Sequence, residues 1–315
     1  MAETKPKASY QDSLKSMDTE EHIDLWFYRR IGYMWARLAA ALGVTPNAIT
    51  IASIFLGIAA GLAFYFPQMW VNVIGMLLLV WANSFDSADG QLARMTHQYS
   101  RLGRILDGMA GDTWFITIYI AICLRENATS PFFTDHPWVI WLIAALAGIS
   151  HAKQASAADY YRQFHLYFLK GEGGSELENL ASLRARLRAM PWKGHFWQKL
   201  TLTVYTHYTA QQEALTPDMQ RLRRALAKHY PDTPLPQRLR DDFRALSLPL
   251  MKYTNILSFN WRVITLFISL FLRMPWIYFV AELVVFNAIL IYMVLSHEHI
   301  CKIMTARVND NHYDN

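Results

Sequence analysis

The chain has 315 residues, 53% of them hydrophobic and 17% charged, with a net charge of +5 and a pI near 9.1. The apolar residues gather in long blocks, which excludes an ordinary soluble protein and assigns the basic excess to the loops of a membrane protein rather than to nucleic-acid binding. The two cysteines, Cys123 and Cys301, lie in or beside apolar blocks, which excludes a disulfide framework and a thiolate metal site.

In chain order, residues 1–20 are polar and lysine-containing, with no apolar core of a cleavable signal, and are expected to be disordered. From Glu20 to Leu42, Leu25, Trp26, Phe27, Ile31, Trp35 and Leu38 interleave with Arg29, Arg30 and Arg37. That mixture predicts a helix at the headgroup level, and packing of the same helix on protein is compatible with it. Gly43 closes the helix. Thr45 and Pro46 open the next one, since proline suits the first position of a helix.

About twenty mainly apolar residues cross a bilayer core. Spans are expected at 46–66, 70–94, 103–124, 137–156, 255–273 and 275–296. The fold class is therefore all-α: a polytopic membrane protein of about six transmembrane helices, with an N-terminal interfacial helix and a helical cytoplasmic insert. The expected parts are 1–20, then 21–163 with the interfacial helix and four spans, the insert at 164–250, the last two spans at 251–300, and a tail at 301–315. Within the insert, Gly171, Gly173 and Gly174 mark a turn. Leu177, Leu180, Leu183 and Leu187 recur at helical spacing opposite Arg184, Arg186 and Arg188. Thr216-Pro217-Asp218 caps a helix running to about His229. Pro231, Pro234 and Pro236 break the chain before a short helix ending near Leu246.

The chemistry concentrates between Asp86 and Asp112, DSADGQLARMTHQYSRLGRILDGMAGD. Asp86 and Asp89 are three apart and share a helix face, which Gly90 and Ala93 continue with almost no side chain. After a polar turn, Gly103 and Asp107 repeat the arrangement at a spacing of four. Two helices facing each other across this turn aim three or four carboxylates at one point. Such a cluster repels itself unless a divalent cation neutralises it, and hard oxygen ligands suit Mg²⁺, Mn²⁺ or Ca²⁺. Arg94, Arg101 and Arg104 lie at this turn, whereas the turns at Phe66–Trp70 and Arg273–Pro275 carry little charge. The motif and both termini are thus expected on the cytoplasmic side. In the polar run that ends the fourth span, His151, Lys153 and Arg162 are candidate phosphate contacts, or simply basic anchors.

The order Asp86-x2-Asp89-Gly90-x2-Ala93-Arg94-x8-Gly103-x3-Asp107 resembles the signature of the CDP-alcohol phosphotransferases, integral-membrane enzymes that make phospholipid head groups. Thr45-Pro46-Asn47-Ala48-Ile49-Thr50 is similar to the string that opens the first membrane helix of many members. The resemblance implies a CDP-alcohol lipid donor, a polar alcohol acceptor, release of CMP and dependence on Mg²⁺ or Mn²⁺, as two ions. It implies Asp86, Asp89, Asp107 and a fourth aspartate as metal ligands. It makes Asn47 a nucleotide contact and Arg94 a phosphate contact or a brace for a carboxylate. Gly90, Ala93 and Gly103 are then small so that cytidine and pyrophosphate can approach. Membrane lipids and a second copy of the chain are the implied partners, and no nucleic acid is among them.

One position departs from the pattern. The family's last aspartate would fall at 111, where this chain has Gly111, and the carboxylate follows at Asp112. Five residues along an ideal helix is about 140° away from Asp107. A π-bulge, eased by Gly108 and Gly111, would absorb the extra residue. Asp112 is on that basis the candidate fourth ligand and the general base. The basic residues Arg101, Arg104, His151, Lys153 and Arg162 favour a phosphorylated acceptor, such as inositol phosphate or glycerol phosphate, with CDP-diacylglycerol as donor. The alternatives are a CDP-choline or CDP-ethanolamine:diacylglycerol transferase, and a non-catalytic CDP-lipid-binding relative, suggested by the displaced aspartate. A carrier using the aspartates as an ion site fits less well, because its acids belong near the bilayer midplane.

Overall fold

The structure, a computed structural model, describes residues 18–171, 177–231 and 233–313, without side chains at 101, 102, 104 and 105. The expected disordered start up to residue 17, Gly173, Gly174 and the side chains of Arg101 and Arg104 lie outside the described residues. Helix makes up 84% of the structure, and no strand occurs among the described residues. A π-helical turn at Asp24–Tyr28 leads into α1 (Arg29–Leu42), followed by α2 (Pro46–Ala63), α3 (Met69–Thr96), α4 (Arg101–Thr129), α5 (Pro131–Asp135) and α6 (Pro137–Lys170). Then come α7 (Leu180–Ala189), α8 (Phe196–Leu215), α9 (Pro217–His229), α10 (Gln237–Ser247), α11 (Met251–Ile256), α12 (Phe259–Phe271), α13 (Trp276–Ala281) and α14 (Asn287–Asn309).

Four stretches are long and apolar enough to cross a bilayer: Pro46–Ala63, Met69–Thr96, Gln237–Phe271 and Trp276–Asn309. The expected spans at 103–124 and 137–156 fall within α4 and α6, single helices of 29 and 34 residues. The protein is a multi-pass membrane protein. Its chain divides into two compact units, Met1–Ala147 with Val263–Ala281, and Gly148–Arg262 with Glu282–Asn315.

In the first unit, α2, α3 and α4 pack closely because glycines face bulky side chains. A Cβ on Gly57 would stand 2.0 Å from the Trp114 ring of α4, and one on Gly75 would stand 2.6 Å from Phe64. Small residues at such crossings let helices gain van der Waals contact where lipid offers no hydrophobic drive for association. Arg125 on α4 is buried and donates from Nη1 to the Phe64 carbonyl at 3.2 Å and to Asn72 Oδ1 at 3.1 Å, which ties α4 to α2 and α3. The expected N-terminal helix packs on α3. Gly32, Ala36 and Ala39 are buried while Trp26, Met34 and Leu42 face outward. Gln91 Nε2 donates to the Arg29 carbonyl at 3.0 Å. Gly43 ends α1 in the left-handed region at φ 70°, the usual glycine stop.

In the second unit a polar network is buried. Arg262 donates from Nη1 to both carboxylate oxygens of Glu282, at 2.7 and 2.6 Å, and from Nη2 to Gln154 Oε1 at 3.0 Å. Both charged side chains are at most 1% exposed. Gln154 also donates to Asn287 Oδ1 at 2.8 Å. Glu282 opens a π-helical turn, Glu282–Phe286, between α13 and α14. The insert belongs to this unit. Its α9 starts at Pro217 as expected, and its first amides, those of Asp218 and Met219, donate to the carboxylate of Glu298 on α14. Phe168 stacks on Phe243 of α10 at 3.8 Å. One helix was not expected from the sequence. α8 is rich in β-branched Thr201, Thr203, Val204, Thr206 and Thr209, poor helix formers whose pattern does not read as an apolar stripe.

Arg262→Met removes the guanidinium that pairs with the buried Glu282, and this is expected to cost about 3–5 kcal/mol of stability. The double variant Arg262→Met/Glu282→Leu is expected to recover most of that loss. Thermal unfolding of the purified protein in detergent checks both.

Candidate metal centre

Asp86 and Asp89 stand on one face of α3, near its end. That helix stops at His97, whose φ of 55° is left-handed and whose amide donates back to the Ala93 carbonyl. Ser100 then opens α4, its hydroxyl accepting the Gly103 amide at 2.8 Å. The tight turn carries Asp107 of α4 to the α3 carboxylates. One oxygen from each of Asp86, Asp89 and Asp107 lies within 4.8 Å of the others. Asp89 is buried, Asp86 half-buried and Asp107 exposed, so the group opens on the side of Asp107.

The start of α2 closes the group from the other side. The Thr50 hydroxyl donates to Asp89 Oδ2, and both residues are buried. Sequence reasoning missed Thr50 as a site residue. The available signal was its place in Thr45-Pro46-Asn47-Ala48-Ile49-Thr50, one turn beyond the helix-opening proline. Asn47, expected as a nucleotide contact, accepts from the Ser100 hydroxyl at 3.0 Å. A Cβ on Gly103 would stand 2.5 Å from Asn47 Oδ1. The absence of a side chain at Gly103 therefore lets the first turns of α2 and α4 meet through Asn47. Gly90 is less crowded: an added Cβ would stand 3.5 Å from Arg94 Nη1, which places the guanidinium of Arg94 over Gly90. Ala93 is half-buried, and its carbonyl closes the end of α3.

The expected bulge is absent. α4 is α-helical from Arg101 to Thr129, and the π-turns among the described residues are at Asp24–Tyr28 and Glu282–Phe286. Asp112 therefore keeps its ideal position, about 140° round the helix from Asp107. It is exposed and is not one of the three grouped carboxylates. Around Gly108 and Gly111 an added Cβ would meet nothing within 4 Å. These glycines permitted a bulge, but no neighbouring group imposes one.

His151 and Lys153 belong to the second unit. His151 Nδ1 lies 3.5 Å from Glu282 Oε1, which makes it a neighbour of the buried ion pair, and Lys153 is exposed. A cavity of about 1070 Å³ also opens in this unit, lined by Arg223, Arg224, Arg240 and Tyr230 among others, and no expected site residue lines it.

Three carboxylates this close repel one another, and a divalent cation relieves the repulsion. The donor set is hard oxygen alone, which fits Mg²⁺ or Mn²⁺ and leaves coordination positions for water or phosphate oxygens.

Residues 43–163, which contain the whole constellation, match the CDP-alcohol phosphatidyltransferase family model. The chain is also similar to archaetidylinositol phosphate synthase from Pyrococcus horikoshii, at 34% identity over 68 residues. The match covers 22% of this chain and 35% of that protein, about a third of the relative's length.

Thr50→Val keeps the shape of the side chain but removes the hydrogen bond that orients Asp89. Changes to groups that orient metal ligands typically cost 10–100-fold in metal affinity. Mn²⁺ titration of the purified protein, followed by electron paramagnetic resonance, is expected to show a weakening of about that size, with Thr50→Ser close to wild type.

Proposed function

We propose that residues 43–163, a CDP-alcohol phosphatidyltransferase domain by their family match, transfer a phosphatidyl group from CDP-diacylglycerol to a polar, phosphorylated alcohol and release CMP. The observation that carries this reading is the convergence of Asp86, Asp89 and Asp107 within 4.8 Å, inside the matched segment. In this reading the three carboxylates hold Mg²⁺ or Mn²⁺. Bound there, the metal would neutralise charge on the pyrophosphate and on the departing CMP.

The chain's own residues do the positioning. Thr50 fixes the orientation of Asp89, Asn47 and Ser100 hold the two helix starts together, and the small Gly90 leaves room for the guanidinium of Arg94. Arg94, lying over Gly90, is placed to meet a phosphate oxygen. The acceptor hydroxyl oxygen attacks the phosphorus that bears diacylglycerol, the bond from that phosphorus to the CMP oxygen breaks, and the hydroxyl proton passes to a base. Phosphoryl transfer depends mainly on alignment and charge neutralisation, so a weak base suffices.

A phosphorylated acceptor such as inositol phosphate is favoured by the name of the Pyrococcus horikoshii relative and by the basic residues Arg101 and Arg104 beside the carboxylates in sequence. The arginines at the α3–α4 turn support a cytoplasmic active site. A second reading is favoured by one observation: Gly111 stands where the family has its fourth carboxylate, on an unbroken helix. In that reading the chain binds CDP-lipid without turning it over.

The deciding experiment is CMP release from CDP-diacylglycerol by the purified protein with Mg²⁺ or Mn²⁺, against inositol phosphate, glycerol phosphate and unphosphorylated alcohols. Release with a phosphorylated acceptor, abolished by EDTA and by Asp89→Asn, is the expected result. Binding of CDP-diacylglycerol without release would establish the second reading.

Two further variants divide the role of the missing aspartate. Asp112→Asn is expected to change the rate little, because Asp112 lies off the face of the group. Gly111→Asp has open space and is expected to raise the rate, since it places a carboxylate on the face of Asp107. A large loss in Asp112→Asn would restore Asp112 as the base.

A further inference from the structure

The turn between α7 and α8 presents an unusual surface. Trp192, Phe196 and Trp197 are 50%, 53% and 74% exposed, so none of them belongs to a core. They form one patch, with ring centroids 5.9 Å apart for Trp192 and Phe196 and 5.3 Å apart for Phe196 and Trp197. The patch is held in shape. Lys199 Nζ donates to the Met190 carbonyl at 2.6 Å and sits 5.0 Å from the centre of the Trp192 ring. Gly194, at φ 83°, supplies the left-handed step that turns the chain.

The charge around the patch has one sign. From Leu180 to Gln212 the chain has no aspartate or glutamate, and it carries Arg184, Arg186, Arg188, Lys193 and Lys199. Arg186 pairs with Glu178 at 3.2 Å. Arg184, Arg188 and Lys193 are exposed and have no acidic partner among the described residues. Exposed aromatic rings rimmed by unpaired cations match an anionic lipid surface on two counts. Tryptophan settles at the boundary between headgroups and acyl chains, and lysine and arginine gain energy near anionic phospholipid.

We infer that the α7–α8 tip is a second membrane contact of this protein, in which Trp192, Phe196 and Trp197 enter the headgroup region of an anionic bilayer while Arg184, Arg188 and Lys193 face its phosphates. The site is separate from the spanning helices and independent of the activity proposed above. Charge complementarity selects lipid over a second copy of the chain, because two copies of this patch would bring like charges together.

The test uses the full chain with a polarity-sensitive fluorophore on Gln198→Cys, beside the patch. Cys123 and Cys301 are buried, and labelled wild type serves as the blank. The protein is placed in nanodiscs of phosphatidylcholine alone, in nanodiscs containing phosphatidylglycerol, and in detergent micelles. The expected result is a blue shift and quenching by brominated lipid in the anionic nanodiscs. Both effects weaken with salt and are lost in Trp197→Ala and in Arg184→Glu/Arg188→Glu/Lys193→Glu. These substitutions are all at exposed positions and leave the helical circular dichroism unchanged. An unshifted spectrum in every nanodisc would overturn the inference. Equal shifts with and without phosphatidylglycerol would overturn the role of the cations. A shift that grows with protein concentration in micelles would overturn lipid in favour of a second copy.

Discussion

The first unit is organised around a repulsion. Three carboxylates within 4.8 Å of each other raise the energy of any fold that gathers them, so other interactions must hold the helices in place. Those interactions lie on both sides of the cluster. Beside it, Thr50 donates to Asp89, and the Asn47–Ser100 pair joins the starts of α2 and α4. Further along the helices, Trp114 fills the notch left by Gly57, and Arg125 ties α4 to Phe64 and Asn72. The helices are clamped at two levels, so the aspartates do not separate by splaying.

The second unit meets a related difficulty differently. Its buried charges are opposite, and Arg262 and Glu282 satisfy each other through two short hydrogen bonds. Gln154 and Asn287 take up remaining polar atoms, as buried polar groups require. Of the two π-helical turns among the described residues, the one at Glu282–Phe286 begins at the residue that carries the buried carboxylate, and neither falls at the glycines of α4. A wide turn spoils regular backbone bonding and persists where a tertiary contact compensates for it. Glu282 has that contact, whereas a Cβ added at Gly108 or Gly111 would meet nothing within 4 Å.

This difference marks what was legible in the sequence. Local signals were reliable. Thr45 and Pro46 opened a helix as read and Gly43 closed one, because these caps depend on neighbours in the chain, whereas α9 starts at Pro217 as read but takes its cap from Glu298 rather than from Thr216. The gathering of Asp86, Asp89 and Asp107 was legible because two are one turn apart and the third follows a short turn. The roles of Thr50 and Asn47 were not, since each acts on a residue some forty to fifty positions away. His151 read as a phosphate contact because its sequence neighbours are basic and polar, whereas its neighbour in space is Glu282. Helix α8 was hidden because Phe196 and Trp197 face outward at the tip and its buried face carries Thr206, Thr209 and Gln212 beside Leu202.

The tie between Glu298 and the first amides of α9 has a consequence for synthesis. Those amides leave the ribosome some eighty residues before the carboxylate that caps them. Arg262 likewise precedes Glu282 by twenty residues. The first unit is interrupted too, with Val263–Ala281 made long after Ala147. Neither unit is finished when its first segment is made, and both await the last apolar stretch of the chain. A nascent chain halted before that stretch would hold the aspartates but not the carboxylate that caps α9, so the insert settles only once the last apolar stretch is made.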